Sequence, residues 1–459
     1  MPVRQRQEIQ TLSRGRRLIE RIAFFGLGRL GLTLAALFAR SGTKTVGIDA
    51  NPALIEQLRR GEVPLAERGL DALLRDAADT LTYANDPDGA ADADASIILV
   101  ATPSDPARPE YSSSDVVQAC LNLCRVLRAR ETWRYHLIVI SSTLWPGTIS
   151  GTIVPLLEAQ LGRRAGTDFG VAYVPEFVAL GDLVHGFERP AFLLIGADDD
   201  VAGALTATLF QRVTVAATPV RFLKTRDAEL LKVVLNVFTC MKVSFANWVG
   251  QLGDRLGGVD IDAVMDTLSL HPRVGVGYLR AGTPYAGPCL PRDVDAILHL
   301  AKTAGLGAPL VDATAEINAA QFDVIERDVL AGEPRSVAIL GLSFKPGTSV
   351  TVGSPAFEFA RRLIDRSIRV VAFDPLGMAR ESARTMFGSL MDVCETLDEA
   401  VAGAGTILVC NPDPSFAELA VHTPADRRIV DPWGCVFGSH PGLVRPGRNP
   451  QGVASAEIL

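Results

Sequence analysis

Arg21-Ile22-Ala23-Phe24-Phe25-Gly26-Leu27-Gly28-Arg29-Leu30-Gly31-Leu32-Thr33-Leu34-Ala35-Ala36-Leu37-Phe38 decides the fold of this 459-residue chain. A short apolar run ends in Gly-x-Gly-x-x-Gly and gives way to helix-forming residues, which predicts a strand, a tight turn and a helix. The glycines permit the turn and close backbone approach. The helix N-terminus offers unpaired N–H groups and the positive end of its dipole to a pyrophosphate. A second strand, Thr45-Val46-Gly47-Ile48, ends at Asp49, close to the distance from the glycines at which an acidic residue reaches an adenosine ribose. The combination predicts a Rossmann dinucleotide site that includes Gly26, Gly28, Leu30, Gly31 and Asp49. The Asp49 carboxylate would bond the ribose hydroxyls and repel a 2′-phosphate, so NAD is expected in preference to NADP.

Two further apolar runs extend the sheet. Ser96–Val100 leads into Ala101-Thr102-Pro103, and Leu137–Ile140 into Ser141-Ser142-Thr143, at the carboxyl ends where open parallel sheets bind ligands. The C-terminal third echoes the layout. Ser336–Leu342, Val370–Asp374 and Thr406–Pro412 correspond to the first strand and turn, the strand ending in Asp49, and the strand ending in Thr102-Pro103. Ser343 and Phe344 break the second glycine fingerprint, so that half is expected to hold a different nucleotide. Between the halves, Thr225 to Arg255 carries apolar periodicity through Leu230, Leu231, Val234, Leu235 and Phe238, and reads as one long helix. The predicted fold class is α/β: two Rossmann-like doubly wound domains joined by a long central helix and an α-helical middle domain. Expected boundaries are a basic flexible arm at 1–20, an NAD-binding Rossmann domain at 21–215, a central helical domain at 216–325, a second Rossmann-like domain at 326–440, and an exposed tail at 441–459.

Composition narrows the function. The chain is 48% hydrophobic and 21% charged, with a net charge of -7, which suits a globular protein and disfavours nucleic-acid binding. Its seven cysteines form no Cys-x-x-Cys pair and its six histidines no ligand-spaced pair, so neither a disulfide framework nor a metal site is expected. No apolar run approaches the roughly 18 residues of a membrane span. The arginine-rich first 20 residues lack a signal-peptide core, so a cytoplasmic location is expected.

Cys289 lies far downstream of the fingerprint, in Tyr285-Ala286-Gly287-Pro288-Cys289-Leu290-Pro291-Arg292-Asp293. A loop thiol beside a hydride acceptor can capture an aldehyde as a thiohemiacetal, which can then release a second hydride. A buried, inert thiol is the alternative. Lys232 and Asn236, four residues apart, would share a helix face, although a solvated lysine with a polar neighbour fits the local sequence as well.

The chain resembles the nucleotide-sugar 6-dehydrogenases, the UDP-glucose, GDP-mannose and UDP-N-acetylhexosamine dehydrogenases, from about Arg21 to about Asp431. The resemblance rests on motifs in family order: the glycine turn with Asp49, Gly61–Glu67, Thr102-Pro103, Ser142-Thr143 with Pro146-Gly147-Thr148, Pro175-Glu176-Phe177, Ala228-Glu229 with Lys232 and Asn236, Cys289 with Asp293, and Gly341–Pro346. It implies that Cys289 is the nucleophile and that Lys232, helped by Asn236, stabilises oxyanions. Asp293 and Thr143 would position or activate water, and Glu176 would take part in acid/base steps; helix capping or a salt bridge is the bland reading of Glu176 and Asp293. Thr102, Pro103, Thr143 and Glu176 would join the cofactor site. The substrate, a nucleotide sugar, would meet Phe177, Lys232, Asn236, Tyr278, Arg280, Gly287, Phe344 and Lys345. Arg273 matches an arginine that reaches a neighbouring subunit's site, which implies a homodimer or a higher homo-oligomer.

The chain also departs from the family. Ala286, Pro288 and Arg292 replace a glycine, a serine and a lysine around the thiol, and Val352 takes the place of an arginine after Lys345-Pro346. Pro288 removes a backbone donor just before Cys289. These departures keep two alternatives open: a two-electron hydroxyacid-type dehydrogenase, and a non-catalytic regulatory protein that binds NAD and a nucleotide. The leading expectation is the four-electron oxidation of a UDP- or GDP-hexose C6 hydroxymethyl to a carboxylate, consuming two NAD.

Overall fold

In the first strand, β1 (Arg21–Phe25), every residue after Arg21 is buried. Ile22 and Phe24 pack into one apolar cluster while Ala23 and Phe25 pack into another. A strand buried on both faces belongs in a parallel sheet covered by helices on each side, which explains why the run is continuously apolar. The structure, a computed structural model, describes residues 19–448 except 64, 106, 107 and 216, and leaves out the side chains of 105–110. The arm before residue 19, Pro64 of the Gly61–Glu67 motif, and the chain after 448 lie outside the described residues.

The first sheet has eight strands: β1, β2 (Lys44–Ile48), β3 (Leu81–Ala84), β4 (Ala95–Ile98), β5 (His136–Ile140), β6 (Phe169–Tyr173), β7 (Leu193–Ala197) and β8 (Val220–Leu223). Their order is β8-β7-β6-β5-β4-β1-β2-β3. Its pairs are parallel apart from β6 with β7. The order runs outward in opposite directions from β1 and β4, so the crevice at their carboxyl ends is the switch point where such sheets take ligands. Helix α1 (Arg29–Arg40) follows β1 directly.

The second sheet comprises β9 (Ser336–Leu340), β10 (Arg369–Phe373), β11 (Met391–Val393), β12 (Thr406–Val409), β13 (Arg428–Val430) and β14 (Leu443–Val444). Its order is β11-β10-β9-β12-β13-β14, all parallel. The sequence echo is a structural one. Gly26 N–H donates to Ile48 O at 2.9 Å and Gly341 N–H to Phe373 O at 2.9 Å. Leu27 N–H donates to Asp49 Oδ2 at 2.8 Å, and Leu342 N–H to Asp374 Oδ2 at 2.8 Å. The halves then diverge. A helix begins at Arg29 in the first, whereas in the second Ser343 N–H also bonds Asp374 and an irregular loop runs to Pro355.

Helices α2 (Thr225–Leu256), α3 (Ile261–Ser269), α4 (Leu290–Thr303) and α5 (Pro309–Leu330) lie between the sheets in sequence. The long helix matches the expected span to within one residue. The chain divides into two compact units, Met1–Val233 and Val234–Leu459, with the division falling inside α2.

Three expected boundaries are corrected. Ile19 is buried and Glu20 N–H bonds Asp94 Oδ2 at 3.0 Å, so the last two residues of the predicted arm belong to the fold. The first domain does not stop at 215, because Val220–Leu223 is the outer strand of its sheet. The stretch after His440 is not an exposed tail as far as 448. Leu443–Val444 pairs with β13, Arg448 is buried, and Gly447 N–H donates to Asp254 Oδ2 at 2.7 Å. A composition rich in Gly, Pro and Arg suggested exposure; strand pairing and the α2 carboxylate overrode it.

Candidate active site

Three glycines at the end of β1 act for three separate reasons. Gly26 has φ +97, and a Cβ there would lie 2.4 Å from Leu99 O, so the turn presses on the backbone just beyond β4. A Cβ on Gly31 would lie 2.1 Å from Gly26 O, so only glycine lets α1 start this close to β1. At Gly28 a Cβ would meet nothing within 4 Å. That open side is where a pyrophosphate can approach the backbone. Gly28 is the N-cap of α1 without a side-chain cap bond, and the first turn carries no acidic residue, so its positive end is not neutralised from within the helix. Half-buried Leu30 lies in that turn. These residues fit a dinucleotide. Asp49 faces the same turn, its Oδ2 taking Leu27 N–H at 2.8 Å and its Oδ1 Asn51 N–H at 2.9 Å. The carboxylate is thereby oriented by backbone amides, and it retains acceptor capacity for a ribose.

Other expected cofactor residues follow successive strands of the same sheet. Thr102, buried, and Pro103, exposed, lie beyond β4; Thr143, half-buried, lies beyond β5; Glu176 and Phe177 lie beyond β6. Ser142 Oγ bridges strand ends by donating to Val100 O at 2.8 Å and accepting from Val100 N–H at 2.9 Å. Lys232 Nζ donates to Glu176 O at 2.5 Å and sits 5.1 Å from the Phe177 ring centroid, a cation–π distance. Lys232 is therefore half-buried and engaged, against the alternative of a solvated surface lysine. Burial pushes the Glu176 carboxyl up to about 8, against the opposing pull of the Lys232 ammonium. Its Oε1 is shielded from solvent and accepts no hydrogen bond.

The second unit carries the thiol. Cys289 is exposed and forms the N-cap of α4, so the thiol is not a buried one. One turn later, Asp293 N–H donates to Cys289 O at 2.9 Å, while the Asp293 side chain is fully buried. Asn236 Nδ2 donates to Asp293 Oδ2 at 2.6 Å, and Arg292 Nε reaches Asp293 Oδ1 at 3.3 Å. The family lysine's replacement thus remains a cation beside this carboxylate. Gly287, with φ +85, donates its N–H to Gly353 O at 2.9 Å; a Cβ there would lie 2.7 Å from the Phe344 ring. The loop bearing Phe344 and Lys345 therefore packs against the thiol loop, and exposed Val352 adjoins the Gly353 contact. Tyr278, at φ +60, Arg273 and Arg280 are exposed. Lys242 Nζ supports the Arg273 loop through Gly275 O at 3.2 Å.

The sequence motif Ala228-Glu229 assigns Glu229 no role. Fully buried, it accepts Gly147 N–H at 2.5 Å and Ile149 N–H at 2.9 Å, tying the Pro146-Gly147-Thr148 turn after Thr143 to α2. Burial pushes its carboxyl up to about 7 against those two amide bonds. The available signal was an acidic residue three positions before Lys232, hence on the same helix face.

Profiles of the UDP-glucose/GDP-mannose dehydrogenase family match the chain in three places: the NAD binding domain at residues 20–214, the central domain at 226–320 and the UDP binding domain at 338–437. GDP-mannose 6-dehydrogenase of Pseudomonas putida is 32% identical over 430 residues, covering 90% of this chain and 95% of that protein. UDP-glucose 6-dehydrogenase of Haloferax volcanii is 32% identical over 421 residues, covering 89% and 95%. The solved UDP-glucose dehydrogenase of the archaeon Pyrobaculum islandicum superposes with a TM-score of 0.83 at 31% identity, covering 91% of this chain and 95% of that one.

The Glu176 carboxyl yields a stability test. Its folded value of about 8 exceeds the ordinary 4.5, so the folded chain holds this proton more tightly than the unfolded one. The contribution is complete below 4.5 and is lost as pH rises through about 8. Glu176→Gln removes the ionisation. The melting temperature of wild type minus that of Glu176→Gln is expected to fall steadily across this window; a constant difference would contradict the assignment.

Proposed function

The chain belongs to the UDP-glucose/GDP-mannose dehydrogenase family, and on that footing we propose that it oxidises the C6 hydroxymethyl of a nucleoside-diphosphate hexose to a carboxylate through a Cys289 thioester. It is an NAD-dependent oxidoreductase. NAD, when bound, accepts two electrons and a proton as hydride in each of two oxidations. Gly26, Gly28, Leu30, Gly31 and Asp49 would hold it, together with Thr102, Pro103, Thr143 and Glu176.

In this reading the alcohol first becomes an aldehyde. Cys289 Sγ bonds the aldehyde carbon to give a thiohemiacetal, whose oxidation leaves a thioester. Water attacks the thioester carbon, the C–S bond breaks, and the carboxylate and free thiol are released. The net change in the sugar is the gain of one oxygen and the loss of two hydrogens. Lys232 and Asn236 stabilise charge on the oxygen of the reacting carbon, a task suited to fixed donors that need no reorganisation. Asp293 and Thr143 position water. Glu176, its carboxyl pushed up to about 8, can both give and take a proton near neutrality. Phe177, Tyr278, Arg280, Gly287, Phe344 and Lys345 contact the nucleotide sugar.

The observation that best supports this reading is the 2.6 Å bond from Asn236 to the fully buried Asp293. It joins Asn236 to the turn that begins at Cys289. A two-electron hydroxyacid-type dehydrogenase has no use for that turn. A purely regulatory NAD-binding protein has no use for an exposed thiol with buried polar support.

A homodimer belongs to the same proposal. Phe238, Phe245, Trp248, Leu252 and Leu256 are 52%, 47%, 50%, 42% and 66% exposed along one stripe of α2. Five large apolar side chains in a row are expected to be covered by a second copy. Arg273, exposed near this helix through the Lys242-supported loop, would then serve the neighbouring subunit.

The reaction is tested with a panel of UDP- and GDP-hexoses, counting NADH per molecule consumed and identifying the product by mass. Two NADH with one oxygen gained and two hydrogens lost is expected for one member; one NADH per molecule would replace this reading with an alcohol dehydrogenase. Phe245→Glu should reduce the native mass in light scattering from twice the chain mass to once, whereas a wild type of single-chain mass would overturn the dimer.

A further inference from the structure

We propose that Asn247, Asn318 and Gln321 are positioning residues for the reaction above: three carboxamides that pin backbone Gly282–Tyr285 and so fix how Cys289 presents its thiol. The inference rests on the Cys289 reading. Their hydrogen bonds go to this backbone and, from Gln321, to the Gln251 side chain.

The chain from Ala281 to Pro288 has no helix or strand, yet Ala281, Gly282, Pro284, Tyr285 and Gly287 are buried. Irregular backbone held away from water must find a partner for each N–H and C=O, and no ladder supplies them here. Asn247 on α2, fully buried, accepts Gly282 N–H at 2.8 Å and donates to Thr283 O at 2.8 Å. Gln321 on α5, also fully buried, donates to Gly282 O at 2.8 Å and accepts from Gln251 Nε2 at 2.9 Å. Asn318, one turn before Gln321, accepts Tyr285 N–H at 2.7 Å and donates to Tyr285 O at 3.2 Å.

Each carboxamide uses its acceptor and its donor at once, which neither a carboxylate nor an apolar side chain can do. A buried network satisfied in this way adds little net stability over an apolar core, but it specifies one backbone geometry. The loop has little freedom to relax. A Cβ on Gly282, at φ +128, would lie 1.9 Å from Pro432 O, and Gly287 N–H is tied to Gly353 O at 2.9 Å. Tyr285 is packed with Val237, Cys240 and Val294. A displacement at 282–285 is therefore passed to the short stretch ending at Cys289, and backwards to Arg280.

Asn318→Asp tests the clamp. It keeps the acceptor for Tyr285 N–H but sets an oxygen against Tyr285 O, and Asn318 is only half-buried, so there is room for the change. The peptide spanning 282–289 is expected to exchange its amide hydrogens faster than in wild type, with the first sheet unchanged. With the best nucleotide sugar, kcat should fall on the order of 10-fold while KM for NAD stays within about twofold. Gln251→Ala, one bond further from the loop, should shift both in the same direction by less.

A role in stability alone would lower the melting temperature and leave exchange at 282–289 and kcat per folded molecule unchanged. That result, or an Asn318→Asp chain that does not fold, overturns the proposal. If wild type oxidises no nucleotide sugar, the reaction assignment fails and the exchange comparison still decides the clamp. If wild type turns over and both variants match it, the clamp fails and the reaction stands.

Discussion

One helix, α2, carries polar side chains that hold loops of each unit. Along α2, Glu229 takes two amides of the turn after Thr143, Lys232 takes the Glu176 carbonyl, Asn236 takes the Asp293 carboxylate, and Asn247 takes the backbone at 282 and 283. At about 100° per residue these four fall within an arc of about 60°. Glu229 and Lys232 belong to the first unit and hold the chain beyond β5 and β6, while Asn236 and Asn247 belong to the second and hold the chain between Gly282 and Asp293. The exposed apolar stripe from Phe238 to Leu256 lies within an arc of about 80° on the far side. One sequence thus encodes two faces: one holds loops, and the other carries exposed apolar side chains.

The gathering works because the loops' needs are met by charge and by amide chemistry in different places. Where a turn offers only N–H groups, as at Gly147 and Ile149, a carboxylate holds it. Where a strand end offers a carbonyl, as at Glu176, an ammonium holds it. Where an irregular segment offers both, carboxamides do. Leaving any one of these buried groups unpaired would cost about 1–3 kcal/mol, comparable with a large share of a domain's net stability. The same pairing that places the catalytic candidates is therefore also what keeps the loops folded.

Much of this was legible in the sequence, and the reasons differ by element. The strand–turn–helix at Gly26–Gly31 was readable because steric necessity leaves only glycine at Gly26 and Gly31. The long helix was readable from its period, and Lys232 with Asn236 from their spacing. The carboxamides were not readable, and Glu229 only as an acid on the Lys232 face, because their partners are backbone atoms some 30 to 80 positions away, which leave no complementary side chain to find. The chain after His440 was misjudged for a related reason. Its docking relies on strand pairing and on Asp254 meeting an amide, neither of which composition records. The replacements at Arg292 and Val352 now have addresses: the first keeps a cation on Asp293, and the second is an exposed side chain beside the Gly287–Gly353 contact.

The central claim is that Cys289 carries the substrate between the two oxidations. It is tested most directly by intact-protein mass spectrometry of an Asp293→Asn variant quenched in acid during turnover with NAD and its nucleotide sugar. Slowed hydrolysis should let an adduct of the substrate mass less four hydrogens accumulate, mapped by digestion to Cys289 and absent from Cys289→Ala. Accumulation of product with no adduct on Cys289, or an adduct on another cysteine, would contradict the account.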